Sequence, residues 1–142
     1  MIIAVDFDGT IVEHRYPKIG KPIPFAIPVL KQLMKDKHQL ILWTVREGKQ
    51  LQEAIDYCHL QGVFFYAHNA NFPDEDRKKS PRKLTADLFI DDRNFGGLPN
   101  WGLIYQAILE RRALQNKLDF NSEMSLFQEL NAKDTFWKKL FK

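Results

Sequence analysis

The arrangement of the whole chain depends on its opening segment, Ile2-Ile3-Ala4-Val5-Asp6-Phe7-Asp8-Gly9-Thr10. Its four leading apolar residues are mostly β-branched and too few for a helix, so they predict a strand buried on both faces. The strand ends in two carboxylates two positions apart, which would share one side of an extended backbone, and the glycine allows a sharp turn beyond them. Paired carboxylates at a strand's C-terminal end form an oxygen-rich site suited to Mg²⁺.

Length and composition predict a single folded domain of moderate charge. The chain has 142 residues, and its 44% hydrophobic content argues against disorder. A net charge of +3 does not by itself separate a nucleic-acid-binding protein from a well-solvated one. The single cysteine, Cys58, excludes an internal disulfide and a Cys-based zinc site. Because no apolar run approaches the roughly 20 residues of a membrane span, we expect a cytoplasmic protein with no membrane partner.

Beyond the first strand, helical and extended patterns alternate along the chain. Residues 11–24 show neither the strand period of 2 nor the helical period of 3.6 and therefore predict a loop. Residues 68–82 predict a long polar loop. The alternation predicts an α/β fold with a Rossmann-like parallel sheet flanked by helices, whose ligands bind beyond the carboxyl ends of the strands. The predicted helices are 26–37 and 48–61, and the later strands are 39–43, 63–67 and 86–90.

The C-terminal part predicts further helices. One opens at Pro99 and runs to about residue 112, Ser122 would cap a second to about residue 131, and Asp134 would cap a third. We therefore divide the chain into a core of residues 1–112 and a helical extension of residues 113–142. The extension either packs on its own domain or contacts a partner, which includes the possibility of a homo-oligomer. Cys58 lies on the apolar face of its predicted helix and is expected in the core.

The opening segment resembles the first motif of the haloacid dehalogenase (HAD) superfamily of phosphotransferases, which is Asp-x-Asp-Gly-Thr after an apolar strand. Later residues match the remaining motifs of that family in the required order. The resemblance covers about residues 1–112. The second motif matches Thr44, the third matches Lys83 with Lys79 and Arg82 as rivals, and the fourth matches Asp91-Asp92.

This resemblance implies an Mg²⁺-dependent phosphatase that works through an aspartyl-phosphate. Asp6 would be the nucleophile, and Asp8 would protonate the leaving oxygen and then activate water. The Thr44 hydroxyl would bind the phosphoryl group, and the Lys83 ammonium would offset its negative charge. The cation would be held by Asp6, the backbone carbonyl of Asp8 and the Asp91-Asp92 pair, with the second member of that pair as the direct ligand. Each assignment has an alternative without a catalytic role. Thr44 would only satisfy backbone groups at the end of its strand, Lys83 would be a solvated surface lysine, and Asp91-Asp92 would cap a helix.

Substrate contacts are expected at Gly9 and Thr10 from the first motif, and at Arg46 and Arg93 because a guanidinium offers forked donors. Pairing of Arg46 with a nearby carboxylate is an equal alternative. Residues 11–43 are too few for a cap domain, so the resemblance implies a small, capless hydrolase with an open site. The expected partner is a phosphorylated substrate, and the alternatives are a nucleic-acid end phosphatase and a non-catalytic phosphate-binding or regulatory module.

Overall fold

The computed structural model describes the backbone of residues 1–140 and the side chains of residues 1–125. Strand β1 (Ile2–Val5) pairs in parallel with β2 (Gln39–Leu42) on one side and with β4 (Leu88–Ile90) on the other. The fourth strand, β3 (Ala67–His68), pairs in parallel with β2, which gives the order β3-β2-β1-β4. The predicted α/β fold with a parallel, Rossmann-like sheet is confirmed.

The central place of β1 follows from its composition. Ile3, Ala4 and Val5 are buried, as expected for an apolar strand that is covered on both faces. Because its neighbours on both sides are parallel to it, the carboxyl ends of β2, β1 and β4 lie at one edge of the sheet. The chemistry-bearing residues that follow these three strands are therefore brought to the same edge.

Two helices make the crossovers that parallel pairing requires. Helix α1 (Ala26–Lys35) joins β1 to β2, and α2 (Gly48–Leu60) joins β2 to β3, close to the predicted bounds. Gly62 follows the C-terminal end of α2 with φ +78°, a conformation that favours glycine. Cys58 is buried on α2, and burial raises the pKa of its thiol to about 12, which confirms the prediction of a core residue.

The third strand differs from the prediction of residues 63–67. Ladder pairing is confined to Ala67–His68, and the preceding contact is a hydrogen bond from the Tyr66 N–H to the Leu40 carbonyl at 2.8 Å. Val63 and Phe65 are buried, so their side chains fix the approach of the chain to the sheet without a continuous ladder. The alternation of apolar residues thus correctly predicts which side chains of this segment are buried. It predicts a longer strand than the two paired residues that the structure has.

Helix α3 (Trp101–Leu140) is continuous, so the prediction of separate helices from Ser122 and Asp134 is wrong. No glycine or proline follows Gly102, and nothing stops the helix. The Ser122 hydroxyl donates to the Asp119 carbonyl at 2.7 Å, back into the preceding turn, and is not a cap.

The chain divides into two compact units, Met1–Leu103 and Ile104–Lys142. The predicted packing of the aromatic side chains near the C-terminus lies outside the described residues. Among the residues that the structure describes, no helix has both the length and the hydropathy to cross a bilayer.

Candidate active site

Three carboxylates meet at the carboxyl ends of β1 and β4. Asp6 follows β1 directly, and its N–H donates to the Ile90 carbonyl at the end of β4 at 2.9 Å. This bond fixes Asp6 beside Asp91 and Asp92, which follow β4. One carboxylate oxygen from each of the three residues lies within 4.8 Å of the other two. The structure thus brings together acids some eighty positions apart, as the sheet order predicts.

Gly9 and Thr10 hold this cluster in place. A Cβ on Gly9 would lie 2.5 Å from Asp92 Oδ2, and the φ of Gly9 is +90°, so a side chain is disfavoured twice at this position. The Thr10 hydroxyl donates to Asp6 Oδ2 at 3.2 Å and accepts from the Asp92 N–H at 3.0 Å. Trp101 Nε1 donates to the Thr10 carbonyl at 3.0 Å. Thr10 is fully buried, and its hydroxyl links the Asp6 carboxylate to the backbone of Asp92.

The electrostatics of the cluster favour a cation. The pKa of Asp6 is raised from 3.8 to about 6, mainly by burial and to a lesser extent by the Asp91 and Asp92 charges, while hydrogen bonds from the Phe7 N–H and the Thr10 hydroxyl oppose the rise. Asp92 Oδ1 is buried and has no hydrogen-bond partner among the described residues. No lysine or arginine in residues 1–125 forms a salt bridge with these acids. Clustered carboxylates with an unsatisfied buried oxygen fit a hard divalent ion.

Asp8 has a different environment from the other acids. Its two oxygens accept Arg46 Nε at 2.6 Å and Arg46 Nη2 at 2.7 Å, and both side chains are buried. Two further Arg46 N–H groups donate to the carbonyls of Pro17 and Lys18, both at 2.9 Å. The pairing of Arg46 with a carboxylate is therefore the alternative that the structure shows. It ties the strand end to the loop of residues 11–24.

Two aromatic rings complete the surroundings of Arg46. The guanidinium carbon lies 5.0 Å from the Phe7 ring centre and 5.2 Å from that of Tyr16. Cation–π contact of this kind offsets part of the cost of burying the charge. Four of the five guanidinium N–H groups donate to Asp8 and to backbone carbonyls, so Arg46 is a structural link and has little left to offer a phosphate.

Asn69 positions the segment after β2. Its Oδ1 accepts the Thr44 N–H at 2.8 Å, and its Nδ2 donates to the Arg46 carbonyl at 3.2 Å. The Thr44 hydroxyl accepts the Arg46 N–H at 3.3 Å. Sequence reasoning missed Asn69; the available signal was an asparagine directly after the third strand, and its φ of +50° is one that asparagine tolerates.

A small cleft of about 60 Å³ opens beside the carboxylates. Arg93 and His14 face each other across 3.2 Å there, between Arg93 Nη2 and His14 Nε2. Arg93 thus stands at the predicted site, and His14 joins it from the loop after β1. The cleft is lined by Asp6, Asp8, His14, Val45, Asp91 and Arg93.

A solved structure resembles this chain in both sequence and shape. It is described as a conserved protein coded by a locus from Bacteroides thetaiotaomicron, with 61% identity and a TM-score of 0.75. The match covers 78% of this chain and 91% of that one. The chain belongs to the family of this conserved Bacteroides protein. No protein-family profile matches the chain, and no curated protein matches it.

In this member of the Bacteroides protein's family, the predicted lysine of the site stands apart. Lys83 is exposed and does not line the cleft. Of its rivals, Lys79 pairs with Asp76 at 3.6 Å, and Arg82 lines a different pocket. The structure therefore brings the acids and Arg93 together and leaves these cations of the long loop outside the cleft.

Proposed function

We propose that this protein is an Mg²⁺-dependent phosphomonoester hydrolase of the HAD type, with Asp6 as the nucleophile of an aspartyl-phosphate pathway. The observation that carries the proposal is the convergence of Asp6, Asp91 and Asp92 within 4.8 Å at neighbouring strand ends. A chance acidic cluster would not explain the buried, unsatisfied Asp92 Oδ1 or the glycine that makes room for that carboxylate. The motif order in the sequence supports the same chemistry.

The donor set fits magnesium. Asp6, Asp91, Asp92 and the backbone carbonyl of Asp8 would hold the ion, which supplies positive charge between an anionic phosphate and an anionic nucleophile. Arg93, at the cleft, would donate to phosphoryl oxygens. The Thr44 hydroxyl and Lys83 keep their proposed phosphoryl contacts; the exposed lysine would have to be carried inward by its loop.

Asp6 would attack phosphorus with a carboxylate oxygen, forming an O–P bond as the bond to the leaving oxygen breaks. Water would then attack the aspartyl-phosphate and release Asp6 and inorganic phosphate. Each Asp8 oxygen keeps a lone pair beyond its bond to Arg46, so Asp8 can accept the proton of that water. Protonating the leaving oxygen would first require a proton on a carboxylate that already accepts two charged N–H groups. Leaving groups that depart as anions should therefore react fastest.

The test is phosphate release from p-nitrophenyl phosphate with and without Mg²⁺. We expect turnover that needs the metal and falls by about three orders of magnitude in Asp6→Asn. Asp56→Asn, the same change on the exposed side of α2, is the matched control and should retain full activity. Turnover in Asp6→Asn equal to that of the unaltered protein would exclude the covalent pathway.

The alternative with the most direct support is a phosphate-binding or regulatory module. The observation that favours it is the buried ion pair between Arg46 and Asp8, because this pair restrains the side chain that a hydrolase would use as its acid and base. Such a module would bind Mg²⁺ and phosphate without releasing phosphate from any ester. We propose a cytoplasmic location for either activity, because the single cysteine is buried and no disulfide is needed.

A further inference from the structure

A larger pocket, of about 380 Å³, opens beyond the carboxyl end of β2. It is lined by Trp43, by Leu84 and by residues of the long polar loop between β3 and β4. Its volume is within the range of roughly 300–1,000 Å³ that is usual for small-molecule sites. None of its chemistry is used by the carboxylate cluster.

The floor of this pocket is apolar and well supported. Leu84 belongs to a buried cluster with Ala4, Ile41 and Ala67, and Trp43 packs against that cluster. The indole is therefore held by the sheet and does not have to be ordered when a ligand binds. A fixed aromatic surface of this kind suits a flat ring stacked on it.

The wall of the pocket is cationic. Arg77, Lys78 and Arg82 line it together with one carboxylate, that of Glu75. Glu75 accepts the N–H and side-chain amide of Asn71 at 2.6 and 2.8 Å.

Of these three cations, only Arg77 forms an ion pair within residues 1–125. Arg77 donates to both Glu47 oxygens at 2.9 and 3.1 Å, whereas Lys78 and Arg82 form no ion pair within residues 1–125. Two uncommitted cations beside an aromatic floor suit a ligand that is both anionic and aromatic.

The pocket and the carboxylate cleft are lined by residues only two positions apart in the segment after β2. Trp43 lines the pocket and Val45 lines the cleft, and two residues of chain span at most about 7 Å. Asn69 also lines the pocket and binds the backbone of Thr44 and Arg46. A ligand of nucleotide size is therefore long enough to reach from one to the other.

We propose that this pocket binds the organic part of the substrate, an aromatic base with a second phosphate, while the phosphate to be removed lies in the cleft. The proposal rests on the proposed function for the role of the cleft. The base would stack on Trp43, and the second phosphate would contact Lys78 and Arg82. A nucleoside 3′,5′-bisphosphate and the phosphorylated end of an oligonucleotide share this chemistry.

Calorimetric titration of the full chain in EDTA tests the pocket without turnover. The probes are adenosine 3′,5′-bisphosphate, ribose 5-phosphate and a 5′-phosphorylated tetradeoxyadenylate. We expect the bisphosphate to bind at least about tenfold more tightly than ribose 5-phosphate. Equal affinity for these two would overturn the proposal. Of the bisphosphate and the oligonucleotide, the tighter binder identifies the source.

Variants then locate the site. The double change Lys78→Ala and Arg82→Ala should weaken bisphosphate binding at least about tenfold, whereas Lys35→Ala, an equivalent exposed lysine on α1, should not change it. Trp43→Phe should keep most of the affinity and Trp43→Ala should lose it, with thermal unfolding showing that both fold. An unchanged affinity in the double variant would overturn the proposal.

The two proposals fail in different ways. Bisphosphate binding that depends on Lys78 and Arg82, with no phosphate released from any ester on adding Mg²⁺, would remove the hydrolase and retain the pocket. Metal-dependent hydrolysis of p-nitrophenyl phosphate, with the same KM for the bisphosphate in the double variant as in the unaltered protein, would retain the hydrolase and remove the pocket.

Discussion

Arg46 and Asp8 form a buried ion pair in which both carboxylate oxygens accept guanidinium N–H groups, at 2.6 and 2.7 Å. The pair joins the end of β1 to the segment after β2 and, through the carbonyls of Pro17 and Lys18, to the intervening loop. Three parts of the chain thus depend on one guanidinium. Removal of either partner leaves the other charge buried and uncompensated.

This arrangement predicts a large loss of stability in Arg46→Ala. We expect the free energy of unfolding to fall by about 3–5 kcal/mol, measured by urea denaturation, since an unpaired Asp8 would remain buried. Arg46→Lys should recover part of the loss because it keeps the charge and loses the fork. Combining Asp8→Ala with Arg46→Ala should cost less than the sum of the single changes. Additive losses would show that the two side chains do not interact.

Gly9 provides a steric test of the carboxylate cluster. Gly9→Ala would place a Cβ 2.5 Å from Asp92 Oδ2, so we expect Mg²⁺ affinity to fall by about ten- to a hundredfold. Gly96→Ala is the matched control, because Gly96 has nearly the same φ of +92° and no atom near the added Cβ. Both variants carry the backbone strain, and only the first should lose the metal. Equal losses would assign the effect to strain.

The raised pKa of Asp6 predicts a pH dependence of stability without metal. Asp6 holds its proton in the folded state up to about pH 6, whereas in the unfolded chain it releases the proton near 3.8. Between these values the folded state binds more protons, so the contribution of Asp6 to stability falls as pH rises through this window.

Since Mg²⁺ competes with that proton, the increase in Tm on adding Mg²⁺ should be larger at pH 7.5 than at pH 5. In Asp6→Asn, the fall in stability between about pH 3.8 and pH 6 should disappear, together with most of the Tm increase on adding Mg²⁺. A Tm increase that is the same at both pH values would contradict this role for Asp6.

Asn69 is expected to affect turnover through Thr44 and Arg46. Asn69→Gly keeps the positive φ accessible and removes both side-chain hydrogen bonds, so we expect kcat to fall about tenfold. Phosphate release under saturating p-nitrophenyl phosphate is the measurement. Asn71→Gly, which alters the same loop at the Glu75 contact, is the control and should retain kcat. A normal kcat in Asn69→Gly would show that the segment after β2 needs no such support.

Local sequence patterns predicted the elements that position the site. Four apolar residues before Asp6 marked the central strand, and the order of strands and helices placed the acids of β1 and β4 at one edge. These features depend on burial and on the spacing of apolar residues, and both can be recognised from residues that are close in sequence. The continuity of α3 does not follow from local pattern, because Ser122 and Asp134 are residue types that favour helix caps although no breaker residue ends the helix before either of them.

Contacts across long stretches of chain could not be predicted in the same way. Arg46 and Asp8 are 38 positions apart, and the sequence offered several carboxylates as partners. The hydrogen bonds of Asn69 and the pocket beside Trp43 also depend on the tertiary placement of the loop between β3 and β4. Residue type indicated candidate chemistry at these positions, and only the fold specified which groups meet.

Calorimetric titration of Mg²⁺ into the unaltered chain and into Asp6→Asn, Asp92→Asn and Asp56→Asn tests most directly whether the acids at the ends of β1 and β4 share an ion. We predict one Mg²⁺ per chain, with affinity reduced at least about tenfold in each of the first two variants and unchanged in the third. Equal Mg²⁺ affinity in all four proteins would contradict a shared metal site.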